Sequence, residues 1–180
     1  MKALLLLMAT LLFAKHSFSQ PQPQGEFHRS LFKKHDAEKG KRHKGAEPLG
    51  AIVFSTEEIP RLGSIKEIEP ILGNEFRRYQ CVWARIFLPK HLGALPDGMP
   101  KRIAYRMIVD GKFHYQKILA DDYLPLPEWS SWMIQLPDAL QEGYDKLPPE
   151  PVRLRLEVWA NPEKDGAERL LAVGECLLQP

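Results

Sequence analysis

The chain has 180 residues, with 25 Lys and Arg against 23 Asp and Glu, which gives a formal net charge of +2. Hydrophobic residues make up 44% of it, enough for one packed domain with a tail. A net charge so close to zero gives no overall attraction to nucleic acid, so we expect no nucleic-acid partner.

The first 19 residues have the features of a secretory signal peptide. Lys2 supplies the positive start, Ala3–Ala14 forms an apolar run, and Ser17 and Ser19 place small residues at positions −3 and −1 of a cleavage site. The run is too short to span a bilayer core, which needs about 20 apolar residues, and no later segment is apolar enough. We therefore expect export to a periplasmic or extracellular location and a mature chain that begins near Gln20.

The segment Gln20–Pro48 differs in composition from the rest of the mature chain. It is rich in Gln and Pro and then in Lys, His and Gly, and it holds few bulky apolar residues. So little apolar surface cannot offset the entropy of ordering, which predicts a disordered basic tail. The tail could serve as a spacer, a propeptide, or an electrostatic tether to an anionic surface. The tether would use its basic clusters: Lys33, Lys34, Lys41, Arg42 and Lys44.

The remaining residues, 49–180, have the alternation and turn spacing of an all-β domain. Asp110-Gly111 separates two alternating runs, the second of which places Phe113, Tyr115 and Leu119 on one face. An Asp-Gly pair in this position is a strong hairpin signal because both turn residues need positive φ. Val152–Trp159 alternates cleanly, and Arg78–Leu88 is apolar on both faces, which is typical of a central strand. We predict a single antiparallel β-sandwich of about seven strands, with a small β-barrel as the alternative.

Short helices are expected as insertions in this domain. Ser64 and Glu67 have capping-box spacing, Thr56–Glu58 has a helix-start composition, and Pro137–Glu142 suits one or two turns. Nearby prolines limit the length of each helix.

The closing segment, LRLEVWANPEKDGAERLLAVGECLL, resembles the closing strands of C2-like sandwiches. It covers about a seventh of the chain and lacks the paired-Asp calcium loops of that family. The resemblance therefore implies an architecture and no function.

Both cysteines, Cys81 and Cys176, lie in the predicted domain. An even number of cysteines in an exported protein favours a Cys81–Cys176 disulfide, and two buried free thiols are the alternative. The sequence has no CxxC pair and no Cys/His spacing for zinc, so no metal or cofactor is predicted.

No recognised catalytic motif is present in the sequence. The domain offers His91 and His114 as histidine bases, and both are expected to be ordinary surface residues. No nucleophile elbow, HExxH, phosphate-binding loop or calcium loop accompanies them.

The strongest candidate for a contact surface is the segment Asp121–Trp129, called here the aromatic loop. It combines Asp121, Asp122, Tyr123 and Trp129 with two stiffening prolines. Exposed aromatic rings on a rigid loop can stack on sugars or anchor a protein partner. Trp132 is assigned to the core instead, because it alternates with Ile134.

These observations predict an exported, non-catalytic β-sandwich that acts as a binding or envelope-assembly module. Its partner would be a protein or carbohydrate of the cell envelope or exterior. The alternatives are a small secreted hydrolase whose site is scattered in sequence, and a barrel that carries an apolar ligand.

Overall fold

The computed structural model describes residues 21–39, 48–162 and 168–180. The predicted signal peptide lies outside these ranges. Within them the chain is mostly β-structure, as predicted, and its strands form one curled sheet. The strands are β1 (Gly50–Ser55), β2 (Leu72–Gly73), β3 (Glu75–Arg77), β4 (Trp83–Phe87), β5 (Ile103–Val109), β6 (Lys112–Ile118), β7 (Ser131–Gln135), β8 (Val152–Ala160) and β9 (Arg169–Gln179). The α-helices are α1 (Glu26–Lys39), α2 (Ile65–Ile68), α3 (Leu136–Ala139) and α4 (Gln141–Tyr144).

The main path through the sheet runs β6-β5-β8-β9-β1-β4-β7, with β2 beside β1 and β3 beside β9. Most neighbours are antiparallel, as predicted, but β1 and β3 both run parallel to β9. The sheet is therefore mixed. Its two ends, β6 and β7, do not pair with each other in the part of the chain that is described.

The predicted hairpin is confirmed and joins β5 to β6. Asp110 and Gly111 form its turn with φ of 50° and 79°. A β-bulge follows the turn: Ile108 pairs with Phe113 and Met107 pairs with Tyr115, which leaves His114 as the extra residue. The extra residue turns Phe113 away from the interior and leaves it 65% exposed, although sequence alternation placed it on the same face as Tyr115.

The curl of the sheet encloses the main core. On β8, alternate side chains from Val152 to Val158 are fully buried, which matches the predicted alternation. The predicted strand Arg78–Leu88 is shorter in the structure and begins only at Trp83.

The short helices follow local sequence signals. At α2, Ser64 Oγ accepts from the Glu67 amide at 3.3 Å, and a Glu67 carboxylate oxygen accepts from the Ser64 amide at 2.7 Å. The predicted capping box is thus present. The expected helix start at Thr56–Glu58 forms no helix, whereas the predicted helical segment Pro137–Glu142 lies within the stretch that forms α3 and α4.

The N-terminal segment differs from its predicted disorder over residues 26–39, which form helix α1. Phe27 packs edge-on against Phe87, with their ring centroids 5.7 Å apart. The next residue, His28, is only 1% exposed, and its Nε2 donates a 2.7 Å hydrogen bond to the Leu88 carbonyl. The few apolar residues of the segment suffice because Phe27 and Leu31 are four apart and share one helix face. This face completes a small second core on the outer side of the sheet, with Ile59, Ile68 and Phe87. No helix in the described ranges is long and apolar enough to cross a bilayer.

Docking of α1 should weaken in mild acid through His28. Burial, with a further contribution from Arg29, lowers the pKa of His28 from its usual value near 6.5. The neutral ring therefore stabilises the folded chain above about pH 6.5, and this stabilisation is lost as the pH falls through the lower folded-state pKa. Thermal unfolding between pH 7.5 and 5 should show a larger fall in midpoint for the wild type than for His28→Gln. If the unfolding midpoints of the wild type and His28→Gln fall in parallel with pH, this role is contradicted. The control, His91→Asn, replaces a histidine outside the α1 contact and should follow the wild type.

The predicted Cys81–Cys176 disulfide is wrong, because both cysteines are free thiols in the structure. Cys176 lies on β9 opposite Leu154, faces the core and is 3% exposed. Cys81 precedes β4 in an exposed loop, where its Sγ accepts a 3.0 Å hydrogen bond from Gln135 Nε2. The disulfide would require Cys81 on a strand beside β9, but β4 begins two residues after Cys81, and β1 lies between β4 and β9.

The two thiols should differ sharply in reactivity. Burial raises the pKa of Cys176 to about 12, so at pH 8 roughly one molecule in 10,000 carries its thiolate. Native protein should take up one equivalent of a maleimide, at Cys81, and a second only after denaturation. Cys81→Ser should abolish the native reaction. Native protein that reacts only after treatment with a reductant would show that the disulfide exists.

Candidate functional site

An open apolar cavity of about 690 Å³ lies between the two ends of the sheet, and we call it the seam groove. Its walls come from β6, β7 and the aromatic loop, and Tyr105 of β5 contributes to its floor. This arrangement follows from the curl, which brings the ends of the sheet path together without pairing them. The seam groove is lined by Tyr105, Lys117, Ile118, Leu119, Ala120, Tyr123, Leu124, Pro125, Trp129, Trp132, Met133, Ile134 and Ala139.

Both strand edges reach the seam groove, rather than one side-chain face of each strand. Three successive residues, Trp132 to Ile134, line it from β7, and 117–119 line it from the end of β6. Successive side chains of a strand point to opposite faces. Contact by three in a row therefore means that the backbone edge itself borders the cavity.

The floor of the seam groove is a hydrogen bond between two buried aromatic side chains. Trp132 Nε1 donates to Tyr105 Oη at 2.9 Å and so links β7 to β5 across the seam. Burial raises the pKa of Tyr105 to about 12, so the phenol stays neutral and can accept this bond at any physiological pH. Below this pair the interior is filled by the main core.

The aromatic loop is held by backbone hydrogen bonds to a neighbouring segment. The Leu92 amide donates to the Trp129 carbonyl at 3.0 Å, and the Gly93 amide donates to the Pro127 carbonyl at 2.7 Å. A 3₁₀ turn over Asp121–Tyr123 then presents Tyr123, whose side chain is 77% exposed at the rim. The loop is thus fixed at its C-terminal part and carries an exposed ring at its N-terminal part.

Helices α3 and α4 cover part of β6 at one end of the seam. His114 Nε2 donates to the Gly143 carbonyl at 2.8 Å, and Lys117 Nζ donates to the Ala139 carbonyl at 2.8 Å. Gly143 permits this approach, since a Cβ there would lie 2.7 Å from Met107 Sδ and from the Tyr115 ring. The uncovered part of the seam is the groove.

The predicted contact residues divide into two groups in the structure. Tyr123 is exposed at the groove and Asp121 is exposed on the same 3₁₀ turn, while nothing is described of the Asp122 side chain. Trp129 lines the groove but is partly buried against the main core. Trp132 is buried, as its alternation predicted, and still forms part of the floor.

The residues of the predicted tether are only partly described. Lys33 is exposed on α1, and Lys34 belongs to the same helix, though its side chain is not described. Lys41, Arg42 and Lys44 lie outside the described residues. No group of three or more His, Cys, Asp or Glu suited to a metal ion occurs among the residues that are described.

Sequence reasoning missed Tyr105 and Lys117. Lys117 carries a visible signal, since a cation occupies a position that alternates with Tyr115 and Leu119 on the inward face. Tyr105 gave no such signal, because its alternation with Met107 is that of any core residue. Its role depends on the distant Trp132, which only the curl of the sheet brings near.

No protein-family model matches the chain, and no curated protein is significantly similar to it in sequence.

The floor bond should be measurable as a coupling between Tyr105 and Trp132. Tyr105→Phe leaves the buried Trp132 Nε1–H without its acceptor, which should cost about 1–3 kcal/mol in the free energy of unfolding. Trp132→Phe removes the donor, and the double variant should then lose less than the sum of the two single losses. Denaturant unfolding of the four proteins measures the difference, and strictly additive losses would show that the bond contributes nothing.

Proposed function

We propose that this chain is an exported, non-catalytic binding protein that holds an apolar part of a cell-envelope or extracellular partner in the seam groove. The observation that carries the proposal is the groove itself, a preformed concave site with aliphatic and aromatic walls. Sites of this kind obtain affinity from apolar burial, about 1.5–3 kcal/mol for each large side chain fully covered.

The rigidity of the site supports this role. The Trp132–Tyr105 bond fixes the floor, and the backbone bonds from Leu92 and Gly93 fix the C-terminal part of the aromatic loop. Groups that are already ordered lose little entropy when a partner docks. The exposed Tyr123 ring can then close over the bound group without a change in the backbone.

The ionisable side chains among the lining residues are Lys117, Tyr105 and Tyr123. Lys117 and the exposed Tyr123 suit charge pairing and hydrogen bonding to a bound partner, whereas Tyr105 is buried and already bonded to Trp132. Because the interior beneath the floor is filled, a carrier of an apolar ligand would have to hold it in the seam groove rather than in a barrel lumen. The exposed Lys33 supports the separate proposal that α1 and the following segment attract an anionic surface.

Photo-crosslinking in the native compartment tests the proposed site. A benzophenone amino acid at Tyr123 should crosslink a discrete partner, because this position borders the groove. Phe113 is the matched control, since it is similarly exposed but lies on the hairpin away from the groove. Equal products from both positions, or none from Tyr123, would contradict the proposal.

A further inference from the structure

We propose that the partner in the seam groove is an extended polypeptide segment that adds to the free edge of β7 as a further strand and places a carboxylate at Lys117. This inference rests on the proposed function and names the chemistry of the occupant. Its evidence is the direction of the backbone groups along the two strand edges and the charge at the groove wall.

The hydrogen bonds that flank β7 fix which of its backbone groups are free. The Leu88 amide donates to the Ser130 carbonyl, and the Leu136 amide donates to the Val82 carbonyl, both at 2.8 Å. In an antiparallel pair, hydrogen-bonded positions recur at every second residue. Ser130 and Leu136 both bond to the β4 side, so in the register of β4 and β7 the even-numbered residues between them, Trp132 and Ile134, also bond to β4. The N–H and C=O groups of Ser131, Met133 and Gln135 therefore point away from β4. No strand pairs with this edge in the described part of the chain.

On the other wall, alternate backbone groups of β6 are also free. The Leu119 amide donates to the Ile103 carbonyl at 2.8 Å, so every second residue back along β6, Lys117 and Tyr115, also bonds to β5. The backbone groups of Gln116 and Ile118 therefore point away from β5. This edge is shorter, because α4 packs against its first half. The edge of β7 is thus the better template for an added strand.

The spacing of the free groups selects a polypeptide over other occupants. Every second residue of β7 offers one donor and one acceptor, a repeat of roughly 6.8 Å that only another extended backbone reproduces. Trp132 and Ile134 point into the groove from the same strand, and they would contact alternate side chains of the added strand. Main-chain bonds would then supply affinity, and the apolar pockets would supply selectivity.

The charge of the groove defines one further feature of the segment. Lys117 is the charged side chain among the described lining residues, and its Nζ bonds to the Ala139 carbonyl at 2.8 Å. An ammonium group has three donors, so this bond leaves two available. A carboxylate on the added strand would pair with it beside apolar walls, where such a pair is screened less than at the surface.

A backbone-directed binding experiment tests the proposal. Dodecapeptides are selected from a random library on the intact protein, and binding of the best one is measured by fluorescence anisotropy. Two N-methylated forms are then compared, one modified at odd and one at even positions. N-methylation removes backbone donors and keeps every side chain. At least one form should bind about ten-fold more weakly or worse, and Lys117→Gln should weaken an acidic peptide about ten-fold. Lys112→Gln, on the same strand but outside the groove, should leave binding unchanged.

The outcomes separate this inference from the proposed function. The added strand is contradicted if neither N-methylated form loses affinity. It is also contradicted if dodecanoate or maltohexaose occupies the groove while no selected peptide does. In either case the proposal that the protein binds a partner in the groove still stands. If crosslinking from Tyr123 also fails, the proposed function falls with it. A peptide that binds equally well to Lys117→Gln overturns the carboxylate contact.

Discussion

The seam groove exists because two strand edges, those of β6 and β7, approach each other without pairing. Backbone N–H and C=O groups need hydrogen-bond partners, and an open sheet edge leaves a row of them free. Here the curl of the sheet turns both ends of its path, β6 and β7, toward one seam, and helices α3 and α4 cover only part of it. The Trp132–Tyr105 bond ties the seam at depth, so the opening above it becomes a groove with a fixed floor.

The N-terminal segment supports the same region from behind. Met133 lines the seam groove and also contacts the small outer core that contains Phe27. The Gln22 amide donates to the Glu128 carbonyl at 3.1 Å, which attaches this segment to the aromatic loop. His28 bonds to Leu88, whose amide in turn bonds to the Ser130 carbonyl next to Trp129. Docking of α1 and the shape of the groove are therefore linked through β7 and the loop before it.

Features of the fold that depend on local signals were predictable from the sequence, and features that depend on long-range pairing were not. The Asp110-Gly111 turn, the alternation of β8 and the capping box at Ser64 each need only neighbouring residues, and all three are present. The disulfide failed because it required the pairing order of distant strands. Phe113 was misplaced by a bulge, and α1 was missed because its few apolar residues bury only against Phe87, Ile59 and Ile68. For the site, the sequence indicated the aromatic loop but not the groove, since Tyr105 and Trp132 meet only through the curl.

Amide hydrogen exchange along β7 in the free protein tests the open seam most directly. The amides of Trp132 and Ile134 bond to β4, whereas the amide of Met133, between them, points into the seam. We therefore expect Met133 to exchange on the order of 100-fold faster than both neighbours at neutral pH. Equal protection of all three amides would show that the edge of β7 is already paired and that no free seam exists.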